Sequence, residues 1–220
     1  MKIIELRKEI ISAGKRMYKR GYVAANDGNI SARIDETRIL ITPTGVSKGF
    51  MNPSDLSIVD YNGKLIKGNK KPSSEFLMHL KIYRTRNDVN SVCHSHPPYS
   101  TAFAVAGKAL DQYILPEVII VLGKIPLIKY GVPGSDSFSD ALLPYLKNHD
   151  AFLLANHGVV TIGNTVLSAY HKMETVEHFA QILFMASQLG KVNKLSNSDV
   201  KDLIKLREKF GINPNIGINP

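Results

Sequence analysis

The chain reads as an α/β fold built on a mixed, mainly antiparallel sheet covered by helices. Three observations point there. Short β-type runs arrive in pairs around tight turns, segments of helical periodicity separate the pairs, and 44% apolar composition over 220 residues suffices for one sizeable, well-buried core. A single domain over residues 1–220 is expected, with an irregular tail over 210–220.

Residues 2–20 carry Ile3, Leu6, Ile10, Ala13 and Met17 at helical spacing, and Gly21 stands where a left-handed cap would close the helix. β-type runs at 29–34 and 38–42 follow, the second ending in Pro43-Thr44-Gly45, and they predict a hairpin. Runs at 56–59 and 64–66 flank Asn62-Gly63, a strong hairpin signal. Pro72-Ser73-Ser74 precedes a helix with Phe76, Leu77, Leu80 and Tyr83 on one face. Glu75 then falls in the first turn, where backbone N–H groups lack partners.

Residues 91–96 form a strand that Pro97-Pro98 stops, and a small-residue helix runs on to about residue 106. Runs at 118–122 and 125–130 straddle Gly123-Lys124 as another hairpin, and Gly134-Ser135 opens a helix over 140–146. Two more β runs, 152–155 and 159–162, flank Asn156-His157-Gly158 and place His157 on a tight turn. A long helix over 165–189 follows, and Ser196 and Asp199 cap a last one through 210. The tail from 211 has no periodicity and is expected to reach solvent or a neighbouring subunit.

Composition narrows the function classes. No apolar run is long enough to span a bilayer and the opening residues Lys2, Glu5, Arg7 and Lys8 do not resemble a signal peptide, so a soluble cytoplasmic protein without membrane association is expected. Cys93 is the only cysteine, which excludes an internal disulfide framework. The formal charge of +9 would suit an anionic partner. The basic clusters at Lys15, Arg16, Lys19 and Arg20 and at Lys64, Lys67, Lys70 and Lys71 lack the interleaved aromatics of a base-stacking surface. Nucleic acid is therefore not expected as a partner; a small anionic substrate is.

The chemistry concentrates in His94-Ser95-His96. Side chains alternate along a strand, so His94 and His96 face one way and can share an ion while Ser95 and Cys93 face the other. With His157 as a third imidazole, a tetrahedral Zn²⁺ keeps one position free, which is the arrangement of a catalytic site; other divalent transition metals fit the same ligands. Glu75 in its Ser-Ser-Glu turn adds a carboxylate. His171, Glu174 and His178 also lie at helical spacing, but without a matching helix they read as a solvated or intersubunit face.

Gly28-Asn29-Ile30-Ser31, Ile41-Thr42-Pro43-Thr44-Gly45, Pro72-Ser73-Ser74-Glu75, His94-Ser95-His96-Pro97 and Asn156-His157-Gly158 occur in the order seen in the class II aldolase and adducin superfamily, and the chain most resembles L-fuculose-phosphate aldolases. The resemblance implies a three-layer α/β/α fold, zinc on His94, His96 and His157, and Glu75 as an acid/base that can also ligate the metal before substrate arrives. It implies a phosphate pocket from Asn29, Thr44, Gly45, Ser73 and Ser74, and a homotetramer with sites between subunits. The implied reaction is reversible cleavage of a ketose 1-phosphate into dihydroxyacetone phosphate and a small aldehyde such as lactaldehyde. The residue types suit the chemistry. Amides, hydroxyls and glycine backbone at a helix N-terminus favour an anion, and a Lewis-acidic metal stabilises the enediolate that carbon–carbon cleavage leaves behind.

Two features bear on the substrate. Where fuculose-phosphate aldolases use tyrosines near the aldehyde end, this chain has Leu115, with Tyr113 two residues earlier, and Phe210. Pro116-Glu117 stands in that region, as in methylthioribulose-phosphate dehydratases, so Tyr113 and Glu117 both come forward as a second proton donor. Ribulose-phosphate 4-epimerases carry aspartate where this chain has Glu75, which favours the aldolase. A dehydratase, decarboxylase or epimerase on the same site is the alternative reading. A non-catalytic, adducin-like interaction module would have lost the metal set.

Overall fold

The computed structural model describes residues 3–218; residues 1–2 and 219–220, which the expected first helix and tail include, lie outside the described residues. Helices α1 (Ile3–Lys19), α2 (Phe76–Thr85), α3 (Pro98–Val105), α4 (Pro116–Val121), α5 (Asp136–Asp140), α6 (Leu143–Leu146), α7 (Val166–Leu189) and α8 (Asn197–Lys209) surround one sheet. Its strands are β1 (Asn29–Arg33), β2 (Arg38–Ile41), β3 (Ser57–Asp60), β4 (Leu65–Lys67), β5 (Ser91–Ser95), β6 (Leu127–Ile128), β7 (Ala151–Leu154) and β8 (Gly158–Gly163).

The eight strands run in the order β4-β3-β2-β1-β5-β8-β7-β6, antiparallel throughout except for the parallel β6–β7 pair. Strand alternation sorts the core into two layers. Ile30, Ala32, Leu40, Cys93, Leu153 and Val159 meet α1, α3, α4 and α7 on one face. Ile39, Ile41, Val59, Val92, Phe152, Val160 and Ile162 meet α2, α5 and α6 on the other. The result is the three-layer α/β/α sandwich.

Local chemistry explains most boundaries. The buried stripe of Leu6, Ile10, Ala13 and Met17 runs along α1, and Gly21 closes it at a φ of 71°. In the β3–β4 hairpin, the Asp60 carboxylate accepts from the backbone N–H groups of Asn62 and Lys64 at 2.8 and 2.9 Å. Thr165 and Ser196 cap α7 and α8 by accepting from Ser168 N and Asp199 N. Helix α2 buries Met78, His79, Leu80, Ile82 and Tyr83, while Phe76 and Leu77 are half-buried; Glu75 stands one step before the helix, at its N-cap.

Four expectations are corrected. The β-branched run at 118–122 is helical, as α4. Pro116 pre-sets the first helical turn, and the guanidinium of Arg207 grips the Ile119 carbonyl, so packing against α8 overrides β propensity. The run at 125–130 keeps only β6, parallel to β7, with Ile125 bridging back to Leu110; no hairpin forms at Gly123-Lys124. The helix expected over 140–146 is two short helices, α5 capped by Ser135 and α6 carrying Pro144 in its first turn. The tail, exposed at Gly211, Asn213 and Asn215, does not simply run outward. Through residue 218 it folds back, with Ile216 buried, Gly217 O accepting from Lys124 N at 2.7 Å, and Arg207 donating to the carbonyls of Pro214 and Ile216. Among the described residues no helix is long and apolar enough to cross a membrane.

Candidate metal centre

Two pieces of chain deliver the three imidazoles. His94 is on β5, His96 one residue beyond its end with its N–H on the Tyr22 carbonyl at 2.9 Å, and His157 in the β7–β8 turn. That turn is sharp because Asn156 adopts a φ of 56°, which asparagine tolerates. Gly158 admits the ring of His96: a Cβ there would lie 2.5 Å from His96 Cδ2 and 2.5 Å from the Ser95 carbonyl.

The ligand atoms of His94, His96 and His157 all lie within 4.8 Å of one another. His94 Nε2 and His96 Nε2 are 3.3 Å apart, and the Glu75 carboxylate oxygens lie 3.2 Å from His94 Nε2 and 3.3 Å from His157 Nε2. Metal bonds of about 2.0–2.1 Å arranged tetrahedrally have edges near 3.3–3.4 Å, so the His94–His96 spacing matches such an edge, and the carboxylate sets Oε2 beside His94 and Oε1 beside His157. The donor chemistry agrees. His94 Nδ1 faces the Val159 carbonyl at 2.9 Å, and His96 Nδ1 faces the Asp27 carboxylate at 3.4 Å. Each contact orients a ring so that Nε2 points inward. Glu75 Oε1 is buried without a hydrogen-bond partner, as a ligand atom would be.

The electrostatics favour the neutral, coordinating form at two of the three histidines. Burial pushes the His157 imidazole down to about 4, with His94 adding to the shift, and burial also lowers His96. Both are therefore neutral and able to coordinate at neutral pH. Burial opposes the charged form of Glu75, but the His94 and His157 imidazoles and the Asn29 amide outweigh it and hold the carboxyl well below its usual range. Burial likewise opposes protonation of His94, and there the Glu75 carboxylate prevails and raises it.

The expected anion-binding turns lie beside Glu75. Pro43 bridges Pro72, Thr44 N donates to the Lys71 carbonyl at 3.0 Å, and Ser73 N donates to the Thr42 carbonyl at 3.1 Å. This places Thr44-Gly45 against Ser73-Ser74, with Thr44, Gly45 and Ser74 exposed and Ser73 buried. Asn29 is buried and its amide is engaged elsewhere: Nδ2 donates to Glu75 Oε2 at 2.7 Å, and Oδ1 faces His79 Nε2 at 2.5 Å, leaving one N–H of the amide.

The structure does not bring the other singled-out residues to the histidines. Tyr113 donates to the Ile218 carbonyl at 3.5 Å, and Lys124 lies over its ring. Glu117 and Phe210 are exposed. Glu174 is taken by the Tyr170 hydroxyl at 2.6 Å and by Arg20 at 3.0 Å, while His171 and His178 are exposed. Cys93 points to the opposite face from His94, in the core, where burial pushes its thiol up to about 12.

Three participants were not singled out by the sequence. Asp27 reaches His96. His79 reaches Asn29, and its spacing of one helical turn after Glu75 was the available signal. Glu177 on α7 accepts from Tyr99 N, Ser100 N and Ser100 Oγ at 2.9, 2.8 and 2.6 Å, so a carboxylate tethers the first turn of α3 directly behind His96-Pro97.

Comparison with known proteins points the same way. The model of the class II aldolase and adducin N-terminal domain matches residues 8–184. L-fuculose phosphate aldolase of Methanococcus maripaludis is 42% identical over 173 residues, 79% of this chain and 93% of that protein. The 3-oxo-tetronate 4-phosphate decarboxylase of Haemophilus influenzae is 36% identical over 203 residues, 90% of this chain and 95% of that protein. Among solved structures, YgbL of Klebsiella pneumoniae, whose description leaves aldolase, epimerase and decarboxylase open, superposes with a TM-score of 0.86 at 30% identity, covering 92% of this chain and 99% of that one.

Proposed function

Because the chain belongs to the class II aldolase and adducin N-terminal domain family, we propose that it is a zinc-dependent aldolase acting on a ketose 1-phosphate, L-fuculose 1-phosphate or a similar deoxyketose phosphate. The observation that carries this reading is the Glu75 carboxylate, wedged between His94 and His157 in the same turn as Ser73 and Ser74. A proton-carrying group, a metal-ligand set and an anion-binding turn are then neighbours, as cleavage of a phosphorylated ketose requires.

His94, His96 and His157 would hold the metal. When bound there, a divalent cation supplies Lewis-acid stabilisation for the oxygen on which negative charge builds. The chain's own residues do the rest. Thr44, Gly45, Ser73 and Ser74, with the remaining Asn29 N–H, would anchor the phosphate and fix the ketose so that its C3–C4 bond faces Glu75. Overall the reaction moves the C4 hydroxyl proton to C3 as the C3–C4 bond breaks. The electron pair of that bond passes to the C2 carbonyl as an enediolate, and Glu75 delivers the proton that converts the enediolate to dihydroxyacetone phosphate. In the synthetic direction Glu75 removes that proton. Tyr113 and Glu117 could serve the aldehyde end only from a second subunit, which fits the proposed homotetramer.

The decarboxylase relative gives the competing chemistry, since loss of CO₂ from a 3-oxo acid leaves a similar enediolate on the same kind of site. The purified protein should release dihydroxyacetone phosphate and an aldehyde from L-fuculose 1-phosphate, followed by coupled reduction of the triose phosphate. Release of CO₂ from 3-oxo-tetronate 4-phosphate, with no triose phosphate from any ketose 1-phosphate, would replace the aldolase reading with the decarboxylase.

A further inference from the structure

Behind Glu75 runs a hydrogen-bonded chain whose members are all buried. Tyr83 Oη lies 2.7 Å from Ser31 Oγ, Ser31 Oγ 2.6 Å from His79 Nδ1, His79 Nε2 2.5 Å from Asn29 Oδ1, and Asn29 Nδ2 2.7 Å from Glu75 Oε2. His79 and Ser31 are fully buried, Tyr83 equally so, and Asn29 nearly so. No member can turn to water, so the donors and acceptors must agree from end to end.

The direction of the chain follows from its last link. A carboxylate only accepts, so Asn29 must present its NH₂ to Glu75 and its carbonyl oxygen to His79. His79 must then donate from Nε2 and accept at Nδ1 from the Ser31 hydroxyl, whose oxygen accepts from Tyr83. Every donor points toward Glu75. Burial keeps His79 uncharged by pushing its imidazole down to about 3, which supplies the one-donor, one-acceptor ring the chain needs.

We infer that His79 is a positioning residue: through the Asn29 amide it anchors the Glu75 carboxylate by Oε2 and leaves Oε1, which has no hydrogen-bond partner, as the oxygen that engages the reacting centre. A reversed His79 would flip the Asn29 amide and set its carbonyl oxygen against the carboxylate. The inference rests on Glu75 carrying the proton in the proposed reaction, but the His79 tautomer does not depend on any substrate.

The test has two arms. Nitrogen-15 NMR of the intact protein, with and without added Zn²⁺, should show His79 as a neutral imidazole protonated on Nε2; an Nδ1-protonated or doubly protonated ring overturns the inference. In turnover of L-fuculose 1-phosphate, His79→Leu should bind metal as the unaltered protein does and lose kcat by about 10- to 100-fold, with KM changed less than about threefold. His79→Gln, which keeps an N–H toward Asn29, should recover most of that loss. Unchanged kcat in His79→Leu, a glutamine variant no better than leucine, or an effect confined to KM overturns the inference. If the leucine variant fails to fold, the tautomer decides. If the unaltered protein turns over no ketose 1-phosphate while the tautomer is as stated, the proposed reaction fails and the orientation of the chain stands.

Discussion

Single atoms decide whether this site can form. The Cβ that alanine would add at position 158 collides with the His96 ring and with the Ser95 carbonyl. Gly158→Ala should therefore fold but bind metal about 10- to 100-fold more weakly, as measured by competition with a chelator, with activity falling in step. His79 makes a prediction about pH. Its imidazole takes up a proton near 6.5 in the unfolded chain and only near 3 in the fold, so across that interval the unfolded state binds more protons and stability falls as pH falls. The slope attributable to one such group is at most about 1.4 kcal/mol per pH unit. Denaturant unfolding at pH 7 and pH 5 should show a smaller difference for His79→Gln than for the unaltered protein; equal differences would count against a buried neutral His79. The clustering of His94, His96 and His157 was legible in the sequence because strand alternation and a turn signature are local. Asp27 and the Asn29 to His79 link were not, because they depend on which strand lies beside which: Asn29 is paired across the sheet with His94 by the β1–β5 register.

At the scale of elements, helices and hairpins with their own caps and turn residues were readable, whereas those made by tertiary contacts were misread. α1, the β3–β4 hairpin, α7 and α8 carry their start and stop signals in sequence. The segment from 116 to 122 carries β-branched residues that say strand, and only its packing against α8 and the returning tail says helix. Arg207 is the keystone of that region. Its fully buried guanidinium donates to the carbonyls of Ile119, Pro214 and Ile216, with no carboxylate among these partners. Arg207→Met keeps much of the volume but strands three carbonyls, and should destabilise the protein by about 3 kcal/mol by urea unfolding. Glu177 plays the corresponding part for α3. Glu177→Gln loses the charge facing Tyr99 N and Ser100 N and should cost about 1–2 kcal/mol in the same measurement, without removing any ligand.

Across the whole molecule, the sheet order places the ends of β5 and β8, the α2 N-terminus and the 43–45 turn around one point, and the function follows from what meets there. The three-layer fold and the histidine cluster were available from ordered motifs, since each motif marks a turn or strand end that the fold brings to the same edge. The proposed aldehyde end was not, because Tyr113, Glu117 and Phe210 are turned to the tail or to solvent within this chain. The most direct test of the account is dihydroxyacetone phosphate release from L-fuculose 1-phosphate by protein stripped with a chelator and then titrated with Zn²⁺. Release should vanish on stripping and return at one equivalent of Zn²⁺ per chain, while His94→Ala stays inactive and binds no metal. Full turnover by the stripped protein, or by His94→Ala, would contradict it.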